Sequence, residues 1–258
     1  MTSNKSNKTK KGLNIVAHMN QNSLISISES KDFQWNMKPD KAKATMLAKR
    51  ELAVFVCDAV NLEGINFTLP EIQTLLDGIT VGGHKIAHQQ IAVNQGNAWR
   101  TLFDWLEKDL FEITIEKICL LHSIAAKEEA LTWGQFRSGG VTIAGTDYLP
   151  PNSKVLTDHF KLMIDNILDI KDIYDQAIHL FLTMARCQFF YDVNKRMGRF
   201  IMNGHLLNNG YAAINLPAKR QLEFNHLMLD FYKTGNQNPM NEFMRSCLDV
   251  RIIKIMNE

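Results

Sequence analysis

Apolar positions recur at three- and four-residue intervals through most of the chain, the spacing that lays them along one side of an α-helix. From Lys41, the stretch ATMLAKRELAVFVCDAV combines that spacing with strong helix formers, and Gly64 breaks it. In NLEGINFTLPEIQTLLDG, Thr68 is placed to cap a second helix with Pro70 and Glu71 in its opening turn, and Gly78 to end it. AWRTLFDWLEKDL and ITIEKICLLHSIAAKEEALT predict two more helices. DIYDQAIHLFLTMARC sets Tyr174, Ala177, Ile178, Phe181 and Ala185 on one face and predicts a buried helix. NKRMGRFIMNGHLLNN predicts the next, stopped at Asn209-Gly210, and QLEFNHLMLDFYKTG and PMNEFMRSCLDVRIIKI complete an essentially all-α chain without internal repeats.

Two stretches depart from the helical period. GQFRSGGVTIAGTDYLPP carries Gly139-Gly140 between short β-prone runs and is halted by Pro150-Pro151, which predicts a β-hairpin on a helical protein. Residues 1–35 are rich in Lys, Asn and Ser and poor in large apolar side chains, so they read as a mobile basic arm. The chain then divides into an N-terminal helical region, 36–110, and a core domain, 111–250.

Composition narrows the picture only slightly. At 258 residues and 45% hydrophobic content the chain can bury a sizeable core. Lys and Arg number 29 against 27 Asp and Glu, so no global field attracts nucleic acid; contact through the lysine arm is the weakest reading. Cys57, Cys119, Cys187 and Cys247 lack CxxC spacing and read as free thiols in a reducing compartment. No signal-type apolar region follows the basic start, and no run reaches the roughly 18 apolar residues of a membrane span. The expectation is a cytoplasmic protein without a membrane partner.

The chemistry concentrates in QFFYDVNKRMGR, Gln188 to Arg199. A loop entering a helix exposes unpaired amides at the positive end of the helix dipole, here those of Val193, Asn194, Lys195 and Arg196. Lys195, Arg196 and Arg199 crowd the first helical turns, and guanidinium groups hold phosphate oxygens in a bidentate way. Asp192, just before the amides, is placed to bind a Mg²⁺ that accompanies a nucleoside triphosphate. The blander alternative is a surface helix start that Asp192 caps.

These residues resemble the signature of the Fic (filamentation induced by cAMP) family, H-x-F-x-[DE]-G-N-G-R-x-x-R, with Phe190, Asp192, Asn194, Arg196 and Arg199 in register. The resemblance runs from about residue 50 to 245 with its pieces in family order. It implies a Fic-fold helical bundle with a small β-hairpin flap, in which Val141, Thr142 and Ile143 hold a target protein by main-chain pairing. LEGINFTLPEIQTLLDG is similar to the segment of members whose inhibitory helix precedes the core. There the residue matching Glu63 reaches the second motif arginine, matching Arg199; the Ser or Thr expected four residues earlier is Ala59 here. ATP with Mg²⁺ and a protein hydroxyl as acceptor are the implied cofactors and partner; a homodimer is left open by the sequence.

Three motif positions differ from the family. Gln188 stands where the family has the histidine that acts as general base, and an amide can orient a hydroxyl but cannot take its proton. Val193 and Lys195 replace glycines; valine at 193 calls for an ordinary backbone, and Lys195 is similar to the N-K-R of Doc toxins, which transfer a γ-phosphate. His122, His179 and His205 read as packed or surface histidines. The functional expectation is nucleotide binding at 192–199, with weak or altered AMP or phosphoryl transfer and Gln188 positioning the acceptor. The alternative is an inactive regulatory or interaction module.

Overall fold

Capping chemistry sets the boundaries of the first helices in the computed structural model, which describes residues 37–258. The predicted mobile arm, 1–35, lies outside the described residues. Helix α1 (Lys41–Arg50) begins where the Asp40 carboxylate accepts the Lys43 amide at 2.9 Å. Helix α2 (Leu52–Asn61) follows after one turn residue, Glu51, so the run expected as a single helix is two. Helix α3 (Leu69–Leu76) opens with the expected Thr68, whose side chain and Glu71 form a reciprocal capping box. Helix α4 (Ile86–Glu107) starts well before the predicted AWRTLFDWLEKDL. Helix α5 (Ile115–Ala125) stops short of the predicted KEEALT, which leaves Glu128 and Glu129 on a turn.

After a long loop come α6 (Leu156–Leu168), α7 (Ile173–Cys187) and α8 (Asn194–Asn208), then α9 (Gln221–Thr234), α10 (Asn238–Ser246) and α11 (Val250–Asn257). Helices α7 and α8 form the centre. The predicted face of α7 is buried: Ala177, Ile178, Phe181 and Ala185 are sealed from solvent and Tyr174 nearly so. Each such large side chain contributes roughly 1.5–3 kcal/mol. Gly198 lets the two helices meet, because a Cβ there would lie 2.9 Å from the Phe181 carbonyl oxygen. Trp99 of α4 packs edge-on against Phe200 of α8 at 5.3 Å, tying the N-terminal helices to the same core.

The expected β-hairpin is not formed, and no strand occurs among the described residues. The physical reason is where the segment's backbone groups go. Its hydrogen bonds run to the α7–α8 turn instead of across a two-stranded ladder: the Arg137 amide donates to the Phe189 carbonyl at 2.9 Å, and the Gly139 amide to the Tyr191 hydroxyl at 2.8 Å. Residues 136–152 form an irregular flap pinned along one side.

Candidate functional site

Two left-handed residues bracket the turn between α7 and α8. Gln188 caps the end of α7 at φ 49°, ψ 63°, and Val193 precedes α8 at φ 64°, ψ 10°. The ordinary backbone expected at Val193 is therefore not what the chain adopts, although a left-handed non-glycine residue costs of order 1–2 kcal/mol. Packing and hydrogen bonding offset the strain: the Val193 side chain is buried, its amide donates to Asp192 Oδ1 at 2.6 Å, and its carbonyl accepts from Met197.

Asn194 braces this turn from inside. Its Oδ1 accepts from the Phe190 amide at 2.9 Å, and its Nδ2 donates to the Phe190 carbonyl at 2.8 Å and to Gln188 Oε1 at 3.0 Å. Gln188 Nε2 donates to the Ala185 carbonyl at 2.6 Å. Both ends of the Gln188 amide, which the sequence reading expected to position the acceptor, are engaged within the turn. The Asn194 side chain is buried in the same brace. The first-turn amides of Asn194, Lys195 and Arg196 have no helical acceptor behind them.

The three histidines that the sequence reading weighed, His122, His179 and His205, are each engaged in packing contacts. The His122 ring stacks on Phe190 at 3.7 Å, its Nδ1 accepts from the Gly134 amide at 3.1 Å, and its Nε2 therefore donates to the Asp192 carbonyl at 3.3 Å. Burial pushes its pKa down to about 4, so the ring is neutral at pH 7. His205 is held at about 4 by burial and pairs with Gln176 Oε1 at 2.8 Å; His179 pairs with Gln237. All three are packed, as expected.

Arg137, only 2% exposed, joins flap and turn. Its Nε donates to the Gln188 carbonyl at 2.5 Å, Nη1 to Gly139 at 2.7 Å, and Nη2 to the carbonyls of Pro151 and Cys187. Beyond this clamp Thr142 is exposed, while Val141 and Ile143 are half-buried and Ile143 leans on the core.

The cations fall into unlike environments. Arg196 makes a bidentate pair with Glu129, Nη1 to Oε2 at 2.8 Å and Nη2 to Oε1. Its Nε lies 3.8 Å from Glu63 Oε1, and Lys195 Nζ lies 3.9 Å from Glu63 Oε2. Glu63 stands in the turn after α2 and its ion-pair contacts are to these two, whereas the resemblance implied Arg199. Burial alone would raise the Glu63 pKa, but Lys195, Arg196 and Arg199 together hold it below the usual carboxylate range. Arg199 has neither Nη1 nor Nη2 hydrogen-bonded and is 8% exposed. It lines a cavity of about 20 Å³ with Phe55, Ala59, Gln95, Asn203 and Asn215, room for about one water. Burial pulls its pKa down to about 10, opposed by the field of Glu63.

The donor set fits a Mg²⁺ that arrives on a polyphosphate and no resident metal. Asp192 offers one exposed carboxylate, and Mg²⁺ is commonly held by one or two carboxylates together with phosphate oxygens and water. Among the described residues no group of three or more His, Cys, Asp or Glu is placed to bind a metal by itself.

Glu129, Arg137 and Tyr191 are the site residues that sequence reasoning passed over. Glu129 had no local signal, since it reads as one more acid at the end of an amphipathic helix. Arg137 carried a weak one, a lone cation beside paired glycines.

Residues 112–206 match the model of the Fic/DOC family. The protein adenylyltransferases Fic of Drosophila erecta and Drosophila grimshawi are each 23% identical, over 91% and 92% of this chain. The chain spans about half the length of these relatives, 47% and 49%. Among solved structures, Fic-1 (residues 134–508) from C. elegans superposes with a TM-score of 0.71 at 18% identity, covering 86% of this chain and 66% of that one. A Fic domain containing signaling protein from Bacteroides thetaiotaomicron gives 0.69 at 17%, covering 86% and 90%. These superpositions show the fold. No described helix is long and apolar enough to cross a membrane.

Proposed function

We propose that residues 112–206, which match the Fic/DOC family model, form a domain of that family, and that the protein binds a nucleoside triphosphate, ATP with Mg²⁺, at the 192–199 turn and helix start and transfers AMP or phosphate slowly to a protein hydroxyl. The observation that carries the reading is Arg199. A buried guanidinium with both terminal nitrogens unpaired is costly to maintain, and an anionic ligand is the chemistry that relieves it. The first-turn amides of Asn194, Lys195 and Arg196 hold phosphate oxygens alongside it, and Asp192 binds the Mg²⁺, which supplies charge neutralisation on the polyphosphate. Val141, Thr142 and Ile143 are the stretch of flap against which a target segment lies. Glu63 occupies the cation face in the unliganded state and opposes the polyphosphate.

Transfer is slow because Gln188 stands where a base would remove the hydroxyl proton. General acid–base catalysis is typically worth about a hundred- to ten-thousand-fold, and the Gln188 amide is neither basic nor free. That same observation favours a second reading, a regulatory member that binds nucleotide without transfer. Calorimetry with ATP and Mg²⁺ on the wild type and on Glu63→Gly tests binding; absence of heat in both, with the fold intact, sinks the reading. ATP labelled at the α or at the γ position then separates AMP transfer from phosphoryl transfer, and no label on any protein leaves the regulatory reading.

A further inference from the structure

We propose that Glu129 is a specificity-determining residue of this site, one that withdraws Arg196 from the anion-binding set and so limits the negative charge the site accepts. The inference rests on the nucleotide-binding reading above and adds a residue to it.

Arg196 feels Glu129, Glu63 and Asp192, and Glu63 in turn feels Lys195, Arg196 and Arg199. With Asp58, which also acts on Arg199, four acids face three bases, and the cluster as built has no net positive charge. Such a cluster has little attraction for a polyphosphate, which stays anionic even with one Mg²⁺ bound. Displacing Glu63 removes one acid and frees Lys195. It does not free Arg196, whose two terminal nitrogens remain with Glu129. Of the five Arg196 N–H groups, the pair uses one on each terminal nitrogen, and Nε has no hydrogen-bond partner. What Glu129 withdraws is the Arg196 charge: a phosphate that reaches the free edge meets a neutralised ion pair, and meets a full cation only when Glu129 lets go.

Glu129 is placed where letting go is feasible. Its side chain is 17% exposed, and it sits on the turn after α5, next to Glu128 at φ 62°. The arrangement therefore contains two acids to displace: Glu63, which blocks the cation face, and Glu129, which holds one cation back from it.

The test is titration calorimetry of ATP with Mg²⁺ into the full chain as wild type, Glu63→Gly, Glu63→Gly/Glu129→Gln and Glu63→Gly/Glu129→Asp. Thermal melting confirms the fold of each, and Glu129→Ala makes the same charge change should the glutamine variant not fold. Removing a unit charge a few ångströms from a bound anion in a partly buried site changes affinity by roughly ten- to a hundredfold. The Gln double variant is expected to bind that much more tightly than Glu63→Gly, and the Asp double variant, which keeps the charge, to stay within about threefold of Glu63→Gly. Equal affinity of Glu63→Gly and the Gln double variant, or weaker binding by the double variant, overturns the role of Glu129 and leaves the nucleotide reading standing. No binding by any folded variant overturns both.

Discussion

The two halves of the α7–α8 connection meet opposite fates. From Gln188 to Val193 nearly every polar group finds a partner inside the turn, through Asn194, Arg137 and His122. From Lys195 to Arg199 the groups are held short of satisfaction: Arg196 Nε and both terminal nitrogens of Arg199 have no hydrogen bond. A turn that satisfies itself is a rigid platform, whereas a cation left buried without a partner is costly unless something else supplies one. The difference separates what supports the site from what binds in it.

The contrast can be broken most forcefully at Arg196. Arg196→Met strands Glu129 in a largely buried position, and breaking a buried pair from one side typically costs about 3–5 kcal/mol; a large drop in the urea midpoint at unchanged slope is expected. Asn194→Ala comes next. It leaves the Phe190 amide and carbonyl and the Gln188 amide unsatisfied, for a loss of about 1–3 kcal/mol in the same measurement.

Arg199→Met changes stability the other way. It replaces an unpaired buried cation with an apolar side chain, and the expected outcome is a gain of about 1 kcal/mol in stability together with loss of ATP binding. A stability decrease comparable to that of Arg196→Met would erase the distinction between the two arginines.

The smallest effect is in pH dependence. His122 and His205 are neutral in the fold with pKa pushed down to about 4, below the usual imidazole value of about 6.5. Their contribution to stability is therefore complete above about pH 6.5 and lost as pH falls through that window towards 4. Between pH 7 and 5.5 the wild type is expected to lose roughly 1 kcal/mol per histidine. Replacing His122 by Gln should reduce the loss of stability between pH 7 and 5.5 by roughly 1 kcal/mol; an unchanged slope would show that the ring is not the buried neutral group of the platform.

Much of this was readable in the sequence where local chemistry decides the outcome. The capping box at Thr68 and Glu71, the buried face of α7 and the stop at Asn209-Gly210 each follow from a few adjacent residues. The hairpin failed because β-prone residues around Gly139 and Gly140 met better partners across the molecule, Phe189 and Tyr191. Val193 was misjudged for the same reason: tertiary packing and the Asp192 carboxylate sustain a backbone that valine alone disfavours. The motif gave the cation cluster but not its bookkeeping of partners, since Glu129 lies 67 positions from Arg196 in sequence and nothing near it marks the pairing.

The central claim is that Arg199 is the unpaired cation awaiting a phosphate. A crystal structure of the Glu63→Gly variant soaked with ATP and Mg²⁺ tests it most directly. The account predicts a phosphate oxygen within hydrogen-bond distance of the Arg199 terminal nitrogens, with the remaining phosphates on the Asn194–Arg196 amides. Nucleotide bound at those amides with Arg199 still out of contact in its cavity, or bound elsewhere altogether, would contradict it.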